Sequence, residues 1–160
     1  MTCSEARTRL TTASAWSDRA ARDHVATCAE CERFEARMSL VEVQASPSLF
    51  LQGMAGSRLP IAVSHGEGFA NFKYRGNADK AIAAMRFVDH AGAPTEAYPF
   101  NPNGSPGGLT GVTTADGRFT AMMPHPERVF RNIQMSWTDG ASDALSPWMR
   151  IWRNARQWVG

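Results

Sequence analysis

The feature that most constrains the fold of this chain is a change of texture near Phe34. Residues 4–33 are rich in Ala, Arg, Thr, Ser and Glu and show no apolar stripe at helical spacing. A helix there would have little to bury. From Met38 onward, apolar runs alternate with turn formers, as in a packed α/β domain. The sequence therefore divides into an atypical Ala/Arg-rich segment, 1–31, and a packing region, 32–160.

Within that region the elements follow from pattern. Met38–Val43 reads as a strand. Pro60–His65 reads as a second strand, apolar enough to be buried on both faces. Asn77–Met85 has the composition of a short helix. Arg86–Asp89 and Thr95–Tyr98 read as strands around the turn at Asp89–Gly92. Leu109–Thr114 and Arg118–Met123 flank Asp116-Gly117, a strong hairpin signal. A C-terminal helix starts at Ser146, a good N-cap, with Pro147 in its first turn. Trp148, Ile151, Trp152, Ala155, Trp158 and Val159 then recur at helical spacing, which predicts a core face, with Arg150, Arg153, Asn154 and Gln157 largely off it.

Charge excludes some partners. Seventeen basic and fifteen acidic residues give +2, too little to imply nucleic acid or an anionic membrane surface. No apolar run is long enough to span a bilayer, and the first residues lack the apolar core of a signal peptide, so a cytoplasmic location is expected. There Cys3, Cys28 and Cys31 would be thiols or metal ligands rather than disulfides.

Three motifs carry possible chemistry. Met122-Met123-Pro124-His125-Pro126-Glu127-Arg128-Val129-Phe130 sets a histidine and a glutamate two positions apart, the histidine flanked by prolines. In an extended segment both side chains project to one side, so Glu127 can orient the His125 ring; an ordinary turn after a strand is the competing reading. His65-Gly66-Glu67-Gly68 closes the second strand, where flanking glycines allow close backbone approach to a ligand. Pro99–Gly108, PFNPNGSPGG, is dense in turn formers and suits either a long connection or a loop folded around a ligand. His65, Glu67, Asn103 and Ser105 are pocket candidates by position.

In order, LVEVQASPSLFLQGMAGSRLPIAVSHGEG, AYPFNPNGSPGGLTGVTTADGRFTAMMPHPERVFR and SPWMRIWRNARQWVG closely resemble the C-terminal end of the phosphoribosylformylglycinamidine synthases, the glutamine-dependent ligases of purine synthesis. The resemblance runs from about Glu32 to Gly160 and is weakest between Phe69 and Met85. It implies part of a flavodoxin-like α/β domain of the class I glutamine amidotransferase type, with the N-terminal half of that domain missing. It implies glutamine as substrate and a thiolate that attacks its amide. His125 would be base and acid, and Glu127 its orienting partner. The ammonia would pass to a separate domain that uses ATP and magnesium to make the amidine, so no cofactor is expected here.

The family carries its nucleophile in Gly-Val-Cys-Asn-Gly-Cys-Gln, and no such stretch occurs in these 160 residues. Cys3 has neither a preceding strand nor a glycine, and Cys28 and Cys31 lie too close to the matching region. The expectation is a truncated portion, inactive alone, whose partner would be the missing N-terminal portion of the enzyme. Residues 1–31 admit three readings. Cys3, His24, Cys28 and Cys31 offer ligands for tetrahedral zinc and resemble the zinc-binding module of anti-sigma factors. Alternatively, suitable codons for residues 25–31, read one base later, spell Trp-Pro-Arg-Val-Arg-Asn-Ala, close to a family stretch. A plain capping helix is the third reading.

Overall fold

The computed structural model describes residues 35–66, 68–72, 76–135, 138 and 143–160. The segment 1–31, with Cys3, His24, Cys28 and Cys31, lies outside them, as does Glu67.

Five strands form one sheet: β1 (Glu35–Val43), β2 (Arg58–His65), β3 (Ile82–Phe87), β4 (Leu109–Thr113) and β5 (Thr120–Met122). Their spatial order is β2-β1-β3-β4-β5. β1 pairs β3, β3 pairs β4 and β4 pairs β5, each antiparallel. One α-helix among the described residues, α1 (Arg150–Val159), follows a short 3₁₀ turn at Pro147–Met149. This curled antiparallel sheet with a C-terminal helix is consistent with part of a class I glutamine amidotransferase fold.

Register explains the strands. Val41 faces Phe87 and Val43 faces Met85, and all four are 0% exposed. The row continues to Gly111, opposite Met85, and then to Met122. Gly111 is needed in that row, because a Cβ there would sit 2.9 Å from the Met85 Cβ. On β2, Ile61 and Val63 are buried while Leu59, Pro60, Ala62 and Ser64 are partly exposed. That alternation corrects the expectation of burial on both faces: an antiparallel sheet with one core side needs only every second side chain inside.

Two further expectations fail for physical reasons. The helix expected over Asn77–Met85 is a single 3₁₀ turn, Ala78–Lys80, followed by β3. The Ala-rich stretch favours a helix locally, but pairing on both sides places Met85 and Phe87 in the core, and tertiary burial outweighs propensity. Thr95–Tyr98 is not a strand. It leads into a turn whose Tyr98–Pro99 peptide is cis, and only the bridge between Val88 and Pro94 survives of the expected pair.

The hairpin at Asp116-Gly117 forms as its sequence signals. The Asp116 carboxylate accepts from the Arg118 N–H at 3.1 Å and from the Thr114 hydroxyl at 2.5 Å. Gly117 has φ +69°, and a Cβ there would come within 1.9 Å of the Pro47 carbonyl oxygen. The tip therefore docks closely on the 47–49 loop, whose Leu49 N–H donates to the Gly117 carbonyl.

The helix packs through fewer aromatics than its spacing suggests. Trp148 is 0% exposed, and its indole N–H donates to the Pro60 carbonyl at 2.8 Å. Ile151 is buried, but Trp152 is 38% and Trp158 54% exposed. Asn154, expected off the packed face, is buried and donates to the carbonyls of Phe50 and Gln52, both at 2.9 Å. Those carbonyls, partly buried in the turn beneath the helix, gain a donor that an apolar side chain would not supply.

Candidate functional site

The chain emerging from β5 reaches back to β2, the opposite edge of the sheet. There the His125 N–H donates to the Ala62 carbonyl at 2.7 Å, an isolated antiparallel bridge. The segment after β5 thus bridges back to the β2 edge of the curled sheet, and His125 sits on that seam.

Pro124 and Pro126 are both buried and restrict the backbone on either side. After His125 the chain does not stay extended. Pro126–Arg128 forms a 3₁₀ turn in which Pro126 takes the first position, where no N–H is needed. The Arg128 N–H donates to the His125 carbonyl at 3.1 Å. Val129, 1% exposed, anchors the end of the turn in the core. Ser146 clamps the following residues, its hydroxyl donating to the Val129 carbonyl at 2.5 Å and its N–H to that of Phe130 at 2.8 Å.

The turn brings the two side chains together by a route other than extended-strand geometry. His125 Nδ1 lies 2.7 Å from Glu127 Oε1. The histidine side chain is 28% exposed and the glutamate side chain 53%. Arg128 Nε stands 3.8 Å from the same carboxylate oxygen, an exposed contact that solvent weakens. Among the described residues nothing bonds His125 Nε2. An imidazole held at one nitrogen by a carboxylate, with the other nitrogen available, can accept and return a proton.

His65 lies three residues beyond Ala62 on β2, about 10 Å farther along the strand. It meets the 101–105 loop at Gly68. A Cβ on Gly68 would fall 2.3 Å from His65 Cε1 and 2.7 Å from Asn103 Cγ, so only glycine permits this convergence. The amide nitrogen and oxygen of Asn103 are buried and meet no hydrogen-bond partner among the described residues. Ser105 has a different place. It is 0% exposed; its hydroxyl donates to the Gly68 carbonyl at 3.2 Å and accepts from the Ala70 N–H at 3.0 Å. It joins the two loops as a strut. Asn101 supports it by donating to the carbonyls of Ser105 and Thr95.

Sequence reasoning did not single out Ala62, whose role depends on a segment distant in sequence and left no local trace. It marked Gly68 only as one of the glycines flanking Glu67, and Ser146 only as a helix cap, not as the clamp on Val129 and Phe130. Among the described residues no group of three or more His, Cys, Asp or Glu could hold a metal ion, and no helix is long and apolar enough to cross a membrane.

The profile of the CobB/CobQ-like glutamine amidotransferase domain matches residues 9–159. That span begins well before Glu32 and takes in His24, Cys28 and Cys31. Among solved structures the chain is similar to PurLQS from Thermotoga maritima, at 19% sequence identity and a TM-score of 0.56. The match covers 82% of this chain and 50% of that one, so the chain spans about half the length of its structural relative.

Proposed function

We propose, from the premise that this chain belongs to the family of CobB/CobQ-like glutamine amidotransferase domains, that it carries the acid–base part of the glutaminase site of a phosphoribosylformylglycinamidine synthase. The observation that carries the reading is the 2.7 Å contact between His125 Nδ1 and Glu127 Oε1. With Nδ1–H donated to the carboxylate, Nε2 bears the lone pair. It takes the proton of a cysteine thiol as the thiolate attacks the carboxamide carbon of glutamine. The imidazolium, stabilised by Glu127, then protonates the departing ammonia. Water, deprotonated by the same ring, cleaves the thioester to glutamate.

Asn103, beside His65 and Gly68, is the candidate for holding the polar ends of glutamine, supported by its convergence with His65 at Gly68, and Glu67 is a candidate by its place in the sequence alone. Ser105 holds that loop in position rather than touching substrate. The ammonia serves an ATP- and magnesium-dependent domain that amidinates formylglycinamide ribonucleotide in the cytoplasm.

The nucleophile is not in a recognisable elbow in these residues, and a base without a thiolate forms no thioester. The chain by itself is therefore inactive on glutamine and works with a polypeptide that supplies Gly-Val-Cys-Asn-Gly-Cys-Gln. Glutamate release is the test. Purified alone, the chain releases none. Co-expressed with an N-terminal amidotransferase portion bearing that elbow, it releases glutamate, and His125→Ala or Glu127→Ala lowers the rate by at least about tenfold, the lower range of acid–base contributions. Turnover by the chain alone that is lost in both His125→Ala and Cys3→Ser would overturn the inactivity of the isolated chain, and a rate unchanged by His125→Ala in the complemented enzyme would overturn the role of His125.

A further inference from the structure

A cleft whose lining does not include His125 or Glu127 has a volume of about 340 Å³, within the size range of small-molecule sites. Its walls include Met54, Leu145, Asp143, Asn132, Arg150 and Arg153. The two arginines lie three apart at the start of α1, a spacing that sets side chains about 5–6 Å from each other on one helix side. Arg150 is held in place by a backbone feature: Gly53, with φ +72°, leaves open the space that its guanidinium fills, and a Cβ there would be 2.6 Å from Nη2. Among the described residues neither guanidinium forms a hydrogen bond or an ion pair, and Asp143, on the same cleft, bridges to neither.

Two guanidinium forks that face one cleft, and that have no hydrogen-bond or ion-pair partner among the described residues, match the oxygens of a phosphoryl group, which accept paired N–H donors. Met54 and Leu145 add apolar wall, and the Asp143 carboxylate can accept from a hydroxyl. We infer that this cleft binds a small phosphate monoester carrying a hydroxyl group, held at the phosphate by Arg150 and Arg153. The inference makes no use of the His125–Glu127 pair and stands or falls separately from it.

Isothermal titration of the full chain with glycerol 3-phosphate tests it. The expected result is saturable one-to-one binding that weakens at least about tenfold in both Arg150→Gln and Arg153→Gln, the scale of a lost charge-assisted pair. Arg156→Gln, on the same helix but outside the cleft, binds as the parent does. Inorganic phosphate binds more weakly, and glycerol does not bind. Should either glutamine variant fail to fold, the lysine variant keeps the charge without the fork and still shows weakened binding. Absence of saturation, binding unchanged in both arginine variants, equal weakening by Arg156→Gln, or equal affinity for inorganic phosphate would each overturn the assignment.

Discussion

The His125 N–H and the Ala62 carbonyl meet at 2.7 Å, and this backbone bond joins the chain after β5 to the far edge strand, β2. It places a histidine side chain at the seam of a curled sheet without using that side chain for support. Stability and chemistry are therefore separable at this position.

Replacing His125 by alanine leaves the backbone bond and the buried prolines intact. The expected change in unfolding free energy is within about 1 kcal/mol, since the ring is partly exposed and its one partner, Glu127, is largely so. In the complemented enzyme, glutamate release falls sharply. Urea unfolding beside a glutaminase assay checks the pairing of results; a large loss of stability would mean the ring is structural.

Trp148 and Trp152 stand four residues apart but on different terms. Trp148 is fully buried and its N–H is bonded to the Pro60 carbonyl, whereas Trp152 is 38% exposed. Trp148→Ala is expected to cost about 3–5 kcal/mol, the range for large buried aromatics. Trp152→Ala should cost about 1 kcal/mol or less. Denaturant midpoints of the two variants give the comparison directly.

Asn154 donates one amide nitrogen to two carbonyls, those of Phe50 and Gln52. Asn154→Leu keeps the volume and removes the donor. Leaving the two acceptors closed off without a donor costs about 1–3 kcal/mol each when they cannot reach water, so a destabilisation of about 2 kcal/mol or more is expected. A leucine variant as stable as the parent would show that solvent reaches this turn.

Asp116 titrates in the hairpin tip. The Thr114 hydroxyl and the Arg118 N–H hold its carboxyl below the ordinary aspartate value of 3.8. A lowered folded-state pKa contributes stability that is present above the unfolded value and is lost as pH falls through the folded one. Asp116→Ala should therefore lower the melting temperature at neutral pH, with the gap to the parent narrowing below about pH 4. Thermal melts between pH 2.5 and 7, a window of about four to five pH units around the carboxylate range, read this out.

The sequence by itself determined the features that local chemistry controls. Asp116-Gly117 specified a hairpin because the turn needs positive φ and a carboxylate acceptor, both supplied within four residues. Ser146 and Pro147 specified a helix start for similar local reasons. The spacing of His125 and Glu127 marked the candidate site, and the ordered blocks around it pointed to its family. Tertiary structure alone decided which way the Ala-rich stretch before Met85 would go, because its fate depended on neighbours on both sides of β3. It decided that Trp152 and Trp158 stay partly in solvent while Asn154 goes inside, since two carbonyls from a distant turn required a donor there. It also set His125 against Ala62 and drew Asn103 to Gly68. Such pairings close loops of tens of residues, and their energy lies in contacts that no local window of sequence contains.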